Sequence, residues 1–219
     1  MKSQDAVAAR RAEALAAAAE TMRVVRDRCV WTQRITHRDL VPYLIEESAE
    51  LVDAVEAGSR AELREELGDL LWQVLFHAEI ASRDDAEPFD IADVAEGLTE
   101  KMVRRHPHVF GDDVAETPEQ VLVLWNAAKA AEKSERRSVL DGVARGMPSL
   151  ALAQKLLGKG SGLVPAPELV ATAPDSEAEL GDALLALVAQ ARSRGWDAER
   201  ALRERLRTLE SDIRAAEAG

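Results

Sequence analysis

Residues 60–82, RAELREELGDLLWQVLFHAEIAS, constrain the fold more than any other stretch of this chain. An α-helix turns about 100° per residue. Glu62, Glu66 and Asp69 therefore form one stripe, which continues through Gln73 and Phe76 to Ile80 and turns apolar within two turns. Around it Leu70, Leu71, Trp72, Val74 and Leu75 cover nearly every other direction. A helix apolar on all sides is a buried helix. The pattern predicts a helical bundle that covers this segment all round. Its acidic first turns then sit at the rim of the core or line a cavity.

The rest of the chain fits an all-α fold. Aromatics are only 4% of the 219 residues, and the abundant Ala, Leu, Glu and Arg are strong helix formers. Helices are expected at 5–28, 40–57, 60–82, 90–106, from Thr117-Pro118 to about Arg136, at 177–193 and at 197–217. Thr117 is the N-cap and Pro118 the first helical position of the fifth. Gly158, Gly160, Gly162, Pro165, Pro167 and Pro174 mark 158–176 as a linker. A net charge of −12 argues against duplex nucleic acid, which needs clustered Lys and Arg. It leaves room for a nucleotide whose charge is met by a metal ion. The single cysteine, Cys29, allows no intramolecular disulfide and suits a reducing cytoplasm. No apolar run reaches membrane-span length. The N-terminal twenty residues lack a signal peptide's apolar core and read as a helix.

In the preceding helix Glu46, Glu47 and Glu50 fall within an arc of roughly 100°. Such a face, taken alone, is ordinarily the solvated side of an amphipathic helix. Opposite Glu66 and Asp69 on a buried helix, it becomes a crowded set of carboxylates that resist ionisation. A divalent cation relieves that crowding, and all-oxygen donors select Mg²⁺ or Mn²⁺. Lys101, Arg104 and Arg105 share one helical face. They form either a phosphate clamp or a surface face paired with Glu96 and Glu100. Trp125 and Lys129 stand four residues apart. Such a Trp is more often core than a base-stacking platform, and Lys129 can reach past it to phosphate or to water. Trp31, Arg34 and His37 lie in the turn before the acidic helix. Glu179-Leu-Gly-Asp182 echoes Glu66-Leu-Gly-Asp69, with no acidic helix before it, and reads as a decayed second repeat.

The stretches CVWTQRITH, LIEESAELVDAV, EELGDLLWQVLFHA, KMVRRHPHVFGD, TPEQVLVLWNAAKAAEK and SVLDGV resemble the MazG family in order, over about residues 21–143. The resemblance implies an all-α bundle completed by dimerisation and hydrolysis of nucleoside triphosphates to monophosphate and pyrophosphate. It implies Mg²⁺ held by Glu47, Glu50, Glu66 and Asp69, with Glu46 serving a second ion or orienting water. Lys101, Arg104, Arg105 and Lys129 would meet the phosphates, with Trp125, Trp31, Arg34 and His37 near the nucleotide. It divides the chain into a lead-in helix at 1–28, a catalytic domain at 29–137 and a degenerate repeat at 138–219. Val30 stands where the family has Pro, and Asn126 where it has an acidic residue. A nucleotide- or metal-binding regulator without turnover and a structural helical adaptor are the competing readings.

Overall fold

The computed structural model describes residues 2–132, 138–168 and 173–217. It divides the chain into two compact units, Met1–Ala130 and Ala131–Gly219. The first unit holds α1 (Lys2–Arg28), α2 (Val41–Glu56), α3 (Arg60–Ala81), α4 (Ile91–Arg105), the single turn α5 (Pro107–Phe110) and most of α6 (Pro118–Ala131). The second holds α7 (Ser149–Lys159), α8 (Glu177–Ser193) and α9 (Ala198–Glu217). No strand occurs among the described residues; a lone bridge joins Ser161 and Val164.

Local chemistry sets the helix ends. Ser59 Oγ accepts from the Glu62 amide at 3.2 Å, and the Glu62 carboxylate accepts from the Ser59 amide at 2.6 Å. This capping box starts α3. It also takes Glu62 out of the acidic stripe and commits it to the helix end. Asp90 and Asp93 start α4 in the same way. Pro107 follows the end of α4 and begins α5. Thr117 Oγ1 accepts from the Gln120 amide at 3.3 Å, as an N-cap should. α6 is described to Ala131, short of the expected end at Arg136; residues 133–137 lie outside the described ones.

The first unit's core is built from Met22 of α1, Leu40, and Leu75 and Phe76 of α3. Deep in it, the Arg26 guanidinium donates to the Ile35 carbonyl at 3.0 Å and lies over the Phe76 ring. Thr32 Oγ1 donates to the Val25 carbonyl at 2.9 Å. These bonds fix the segment 29–40 against α1. On the surface Arg83 joins Asp27 of α1 to Glu79 of α3.

The α3 helix is not covered all round. Gln73, Leu75, Phe76, Ala78 and Ala81 are buried, but Leu67, Leu71 and Val74 are 52%, 37% and 41% exposed. The neighbours α1, α2 and α4 leave these residues uncovered, and that apolar side meets solvent. On α2, Ile45 and Val55 are likewise exposed. The expectation of burial on every side is thus corrected for the single chain.

In the second unit α8 packs with α7 and α9 and buries Ala186 and Val188. α7 runs to Lys159, into the expected linker at 158–176, of which residues 169–172 lie outside the described ones. That helix, SLALAQKLLGK, sits among glycines that hide its apolar face from a sequence reading. An apolar cleft of about 460 Å³, lined by Leu140, Leu152, Leu156, Leu157 and Leu163 among others, carries no titratable group.

Candidate active site

The hairpin of α2 and α3 positions the carboxylates. Its turn is tight: a Cβ on Gly58 would lie 2.7 Å from the Ala54 Cα. Only glycine permits that approach. The short connection folds the acidic face of α2 back onto the first turns of α3. Oxygens of Glu47, Glu66 and Asp69 come within 4.8 Å of one another. Glu50 joins Glu66 in lining an adjoining cavity of about 320 Å³, with Asp53 and Glu62.

The crowding has an electrostatic signature. Burial, then the charges of Asp69 and Glu50, push the Glu47 carboxyl above the usual range, while a hydrogen bond to Gln73 pulls it back. Burial, then Glu50 and Asp69, push Glu66 up as well. Each group resists ionising beside its neighbours. Three carboxylates from two helices, brought together within 4.8 Å of one another, fit a hard divalent cation with oxygen ligands. Glu46 is exposed on the flank of this set.

The segment 29–40 lies beside the hairpin. Trp31 packs edge-on against Tyr43 of α2 at 6.1 Å and against Phe76 of α3 at 6.4 Å. His37 stacks on His77 of α3 with the rings 5° from parallel and the two Nδ1 atoms 2.7 Å apart. One ring donates and the other accepts. Burial, then His37, hold the His77 imidazole below its ordinary pKa. Arg34 sits in the 3-10 turn Thr32–Arg34, its amide donating to the Trp31 carbonyl.

At the far end of α4, the Arg105 guanidinium lies over the Trp125 ring at 5.3 Å, and His106 meets the same ring edge-on at 5.0 Å. Trp125 thus packs against α4. Lys101, Arg105 and Lys129 are half-buried and Arg104 is exposed.

Sequence reasoning gave no role to Tyr43, Gln73 or His77. Gln73 and His77 follow Asp69 at four-residue steps along α3. Tracing that stripe by fours rather than toward Phe76 reaches both.

Residues 35–110 match the family model described as the MazG nucleotide pyrophosphohydrolase domain. Over 200 residues the chain is 51% identical to an uncharacterized 26.1 kDa protein of Streptomyces cacaoi, covering 90% of this chain and 80% of that one. It is 33% identical over 213 residues to the nucleoside triphosphate pyrophosphohydrolase of Escherichia coli K12, covering 86% of this chain and 80% of the relative. It is 48% identical over 147 residues to the nucleoside triphosphate pyrophosphohydrolase of Mycobacterium tuberculosis, covering 67% of this chain but only 45% of that relative.

Proposed function

The chain belongs to the MazG nucleotide pyrophosphohydrolase family, a family of enzymes, and from that premise we propose that it hydrolyses nucleoside triphosphates, ordinary or damaged, ribo or deoxy, to monophosphate and pyrophosphate in a house-cleaning role. The convergence of Glu47, Glu66 and Asp69 within 4.8 Å between α2 and α3 carries the reading.

Glu47, Glu50, Glu66 and Asp69 would hold Mg²⁺, with Mn²⁺ as a substitute. The cation, when bound, supplies charge neutralisation at the phosphate oxygens and acidifies water. Glu46, exposed beside the set, orients water or serves a second ion. Lys101, Arg104, Arg105 and Lys129 meet the phosphate charge, Arg through bidentate bonds and Lys as a point charge. Trp31, Arg34, His37 and Trp125 line the approach of the nucleotide, with Tyr43 extending the aromatic surface of Trp31. The protein's share of catalysis is positioning and electrostatics.

The uncovered apolar sides of α2 and α3, with Ile45, Val55, Leu67, Leu71 and Val74 exposed, support a homodimer. Among the described residues no helix is long and apolar enough to cross a membrane. With one cysteine in the chain, we read its setting as the cytoplasm.

The test is pyrophosphate release from a panel of ribo- and deoxynucleoside triphosphates with Mg²⁺, for wild type and Glu50→Gln. Release by wild type and its loss in the variant are expected. No release from any nucleotide by wild type overturns the activity, and equal release by the variant overturns the site.

A further inference from the structure

In the second unit α9 is 20 residues long, and α7, on which it starts, is 11. At a rise of about 1.5 Å per residue, α9 runs roughly 30 Å against about 16 Å for α7. Its first turn is seated on α7: the Ala198 amide donates to Gln154 Oε1 at 3.3 Å, and the Glu199 carboxylate accepts from the Ala151 amide at 3.3 Å. From that face Leu202, Leu206, Leu209 and Ile213 continue along the helix within an arc of roughly 60°. Half of each is exposed: 48%, 52%, 46% and 50%. Their steps of four, three and four residues are those of a coiled-coil seam.

The charges beside this stripe select its occupant. Arg205 and Asp212 flank one edge and come within 3.9 Å of each other along the helix. Arg203 and Glu210 flank the other edge, where they hold Glu199 and Arg214 of the same chain. Each edge is basic toward the start of α9 and acidic toward its end. Residues 199–207 include four arginines and two glutamates, and 208–217 three acids and one arginine. An antiparallel copy of the same helix complements that order. With Leu202 facing Ile213 of the second copy and Leu206 facing its Leu209, the apolar residues all pair. The same register sets Arg203 beside Glu210 and Arg205 beside Asp212 of the second copy, and each contact occurs twice by the two-fold symmetry. A parallel copy sets the basic half beside the basic half and the acidic beside the acidic, which repels. With five arginines against five acids, α9 also lacks the cationic excess of a helix that lies on a membrane surface.

We propose that the leucine stripe of α9 is a docking surface for α9 of a second copy of this chain, the two helices running antiparallel. α9 is already helical and anchored on α7, so association does not carry the cost of forming the helix. The inference is independent of the hydrolase reading and of the carboxylate site.

The experiment cross-links the full chain in a Cys29→Ser background. Leu202→Cys and Ile213→Cys are made on separate chains, one of them tagged so that a mixed product has its own mobility. Each is treated with a short bis-maleimide alone and after mixing. A covalent dimer is expected in the mixture and with neither variant alone, because equivalent positions lie about 16 Å apart along the antiparallel pair. Arg205→Cys and Asp212→Cys, at side chains 63% and 65% exposed, repeat the comparison without touching the leucines. Arg203→Glu/Arg205→Glu added to the Leu202→Cys chain is expected to lower the mixed yield roughly fivefold at low salt. Glu210→Arg/Asp212→Arg added to the Ile213→Cys chain is expected to restore it. Cross-linking of each variant with itself overturns the antiparallel pair. No cross-link at either pair of positions overturns the docking surface. A mixed yield that ignores the charge reversals overturns the pairing that selects a second copy.

Discussion

Mg²⁺ added to the metal-free chain is expected to raise its melting temperature near pH 7.5 and to leave it almost unchanged at about pH 4. Glu47 and Glu66 are held above the usual carboxylate range, each chiefly by burial and then by neighbouring carboxylates. In the metal-free fold they keep protons that the unfolded chain releases earlier. The stability they contribute is full below the unfolded carboxylate pKa and is lost as pH rises through their raised values. A cation needs the ionised forms, so its stabilisation runs the other way, small in acid and growing as both groups ionise. At about 100 times its dissociation constant, a ligand adds about 2.7 kcal/mol. The site belongs to the unit Met1–Ala130, for which a sensitivity of roughly 3–5 °C per kcal/mol gives a shift of about 8–13 °C. Calorimetry with Mg²⁺ against Na⁺ at matched ionic strength reads the difference at each pH. Groups such as Asp27, Asp39, Asp84 and His77, shifted downward by other contacts, enter both curves and cancel. The triple variant Glu47→Gln/Glu66→Gln/Asp69→Asn is expected to melt higher than wild type without metal near pH 7.5 and to lose the Mg²⁺ increment. An Mg²⁺ shift of equal size at both pH values, or one that survives in the triple variant, refutes the reasoning.

Phe76 is 2% exposed at the centre of the first unit's core, so Phe76→Ala is expected to cost roughly 3–5 kcal/mol, read from urea unfolding. Ser59→Ala removes one half of the capping box that starts α3 and is expected to cost about 1 kcal/mol by the same measurement. Glu179→Ala and Asp182→Ala, on α8, are expected to leave pyrophosphate release nearly intact; a large drop with the fold preserved shows a working second site. On the proposal that its ammonium holds the triphosphate, Lys101→Ala is expected to raise KM more than it lowers kcat in steady-state pyrophosphate release.

Most of the helices were legible because their signals are local. Ser59, Asp90, Pro107 and Thr117 act on the backbone within a few residues of themselves. The pairing of Glu47 with Glu66 and Asp69 was legible because a three-residue turn between two acidic helices leaves little choice of partner. Helix α7 was not: its eleven residues lie among glycines at 146, 158 and 160, and its leucines gain their meaning only against α8 and α9. Nor was the uncovered side of α3. Leu71 and Leu75 read alike in sequence, and only the placement of the neighbouring helices α1, α2 and α4 separates the exposed one from the buried one. The His37–His77 stack joins residues 40 apart, and nothing local to either histidine announces it.

The two helices of the carboxylate hairpin differ in how firmly the fold holds them. α3 carries Gln73, Leu75, Phe76, Ala78 and Ala81 buried, whereas Ala54 is the buried residue of α2. Amide hydrogens on α3 should exchange only with global unfolding of the unit, and those on α2 through a smaller, more frequent opening. A cation bridging them would tie the loosely held helix to the firmly held one. Its occupancy would then appear in hydrogen exchange as protection gained along α2, with little added to α3.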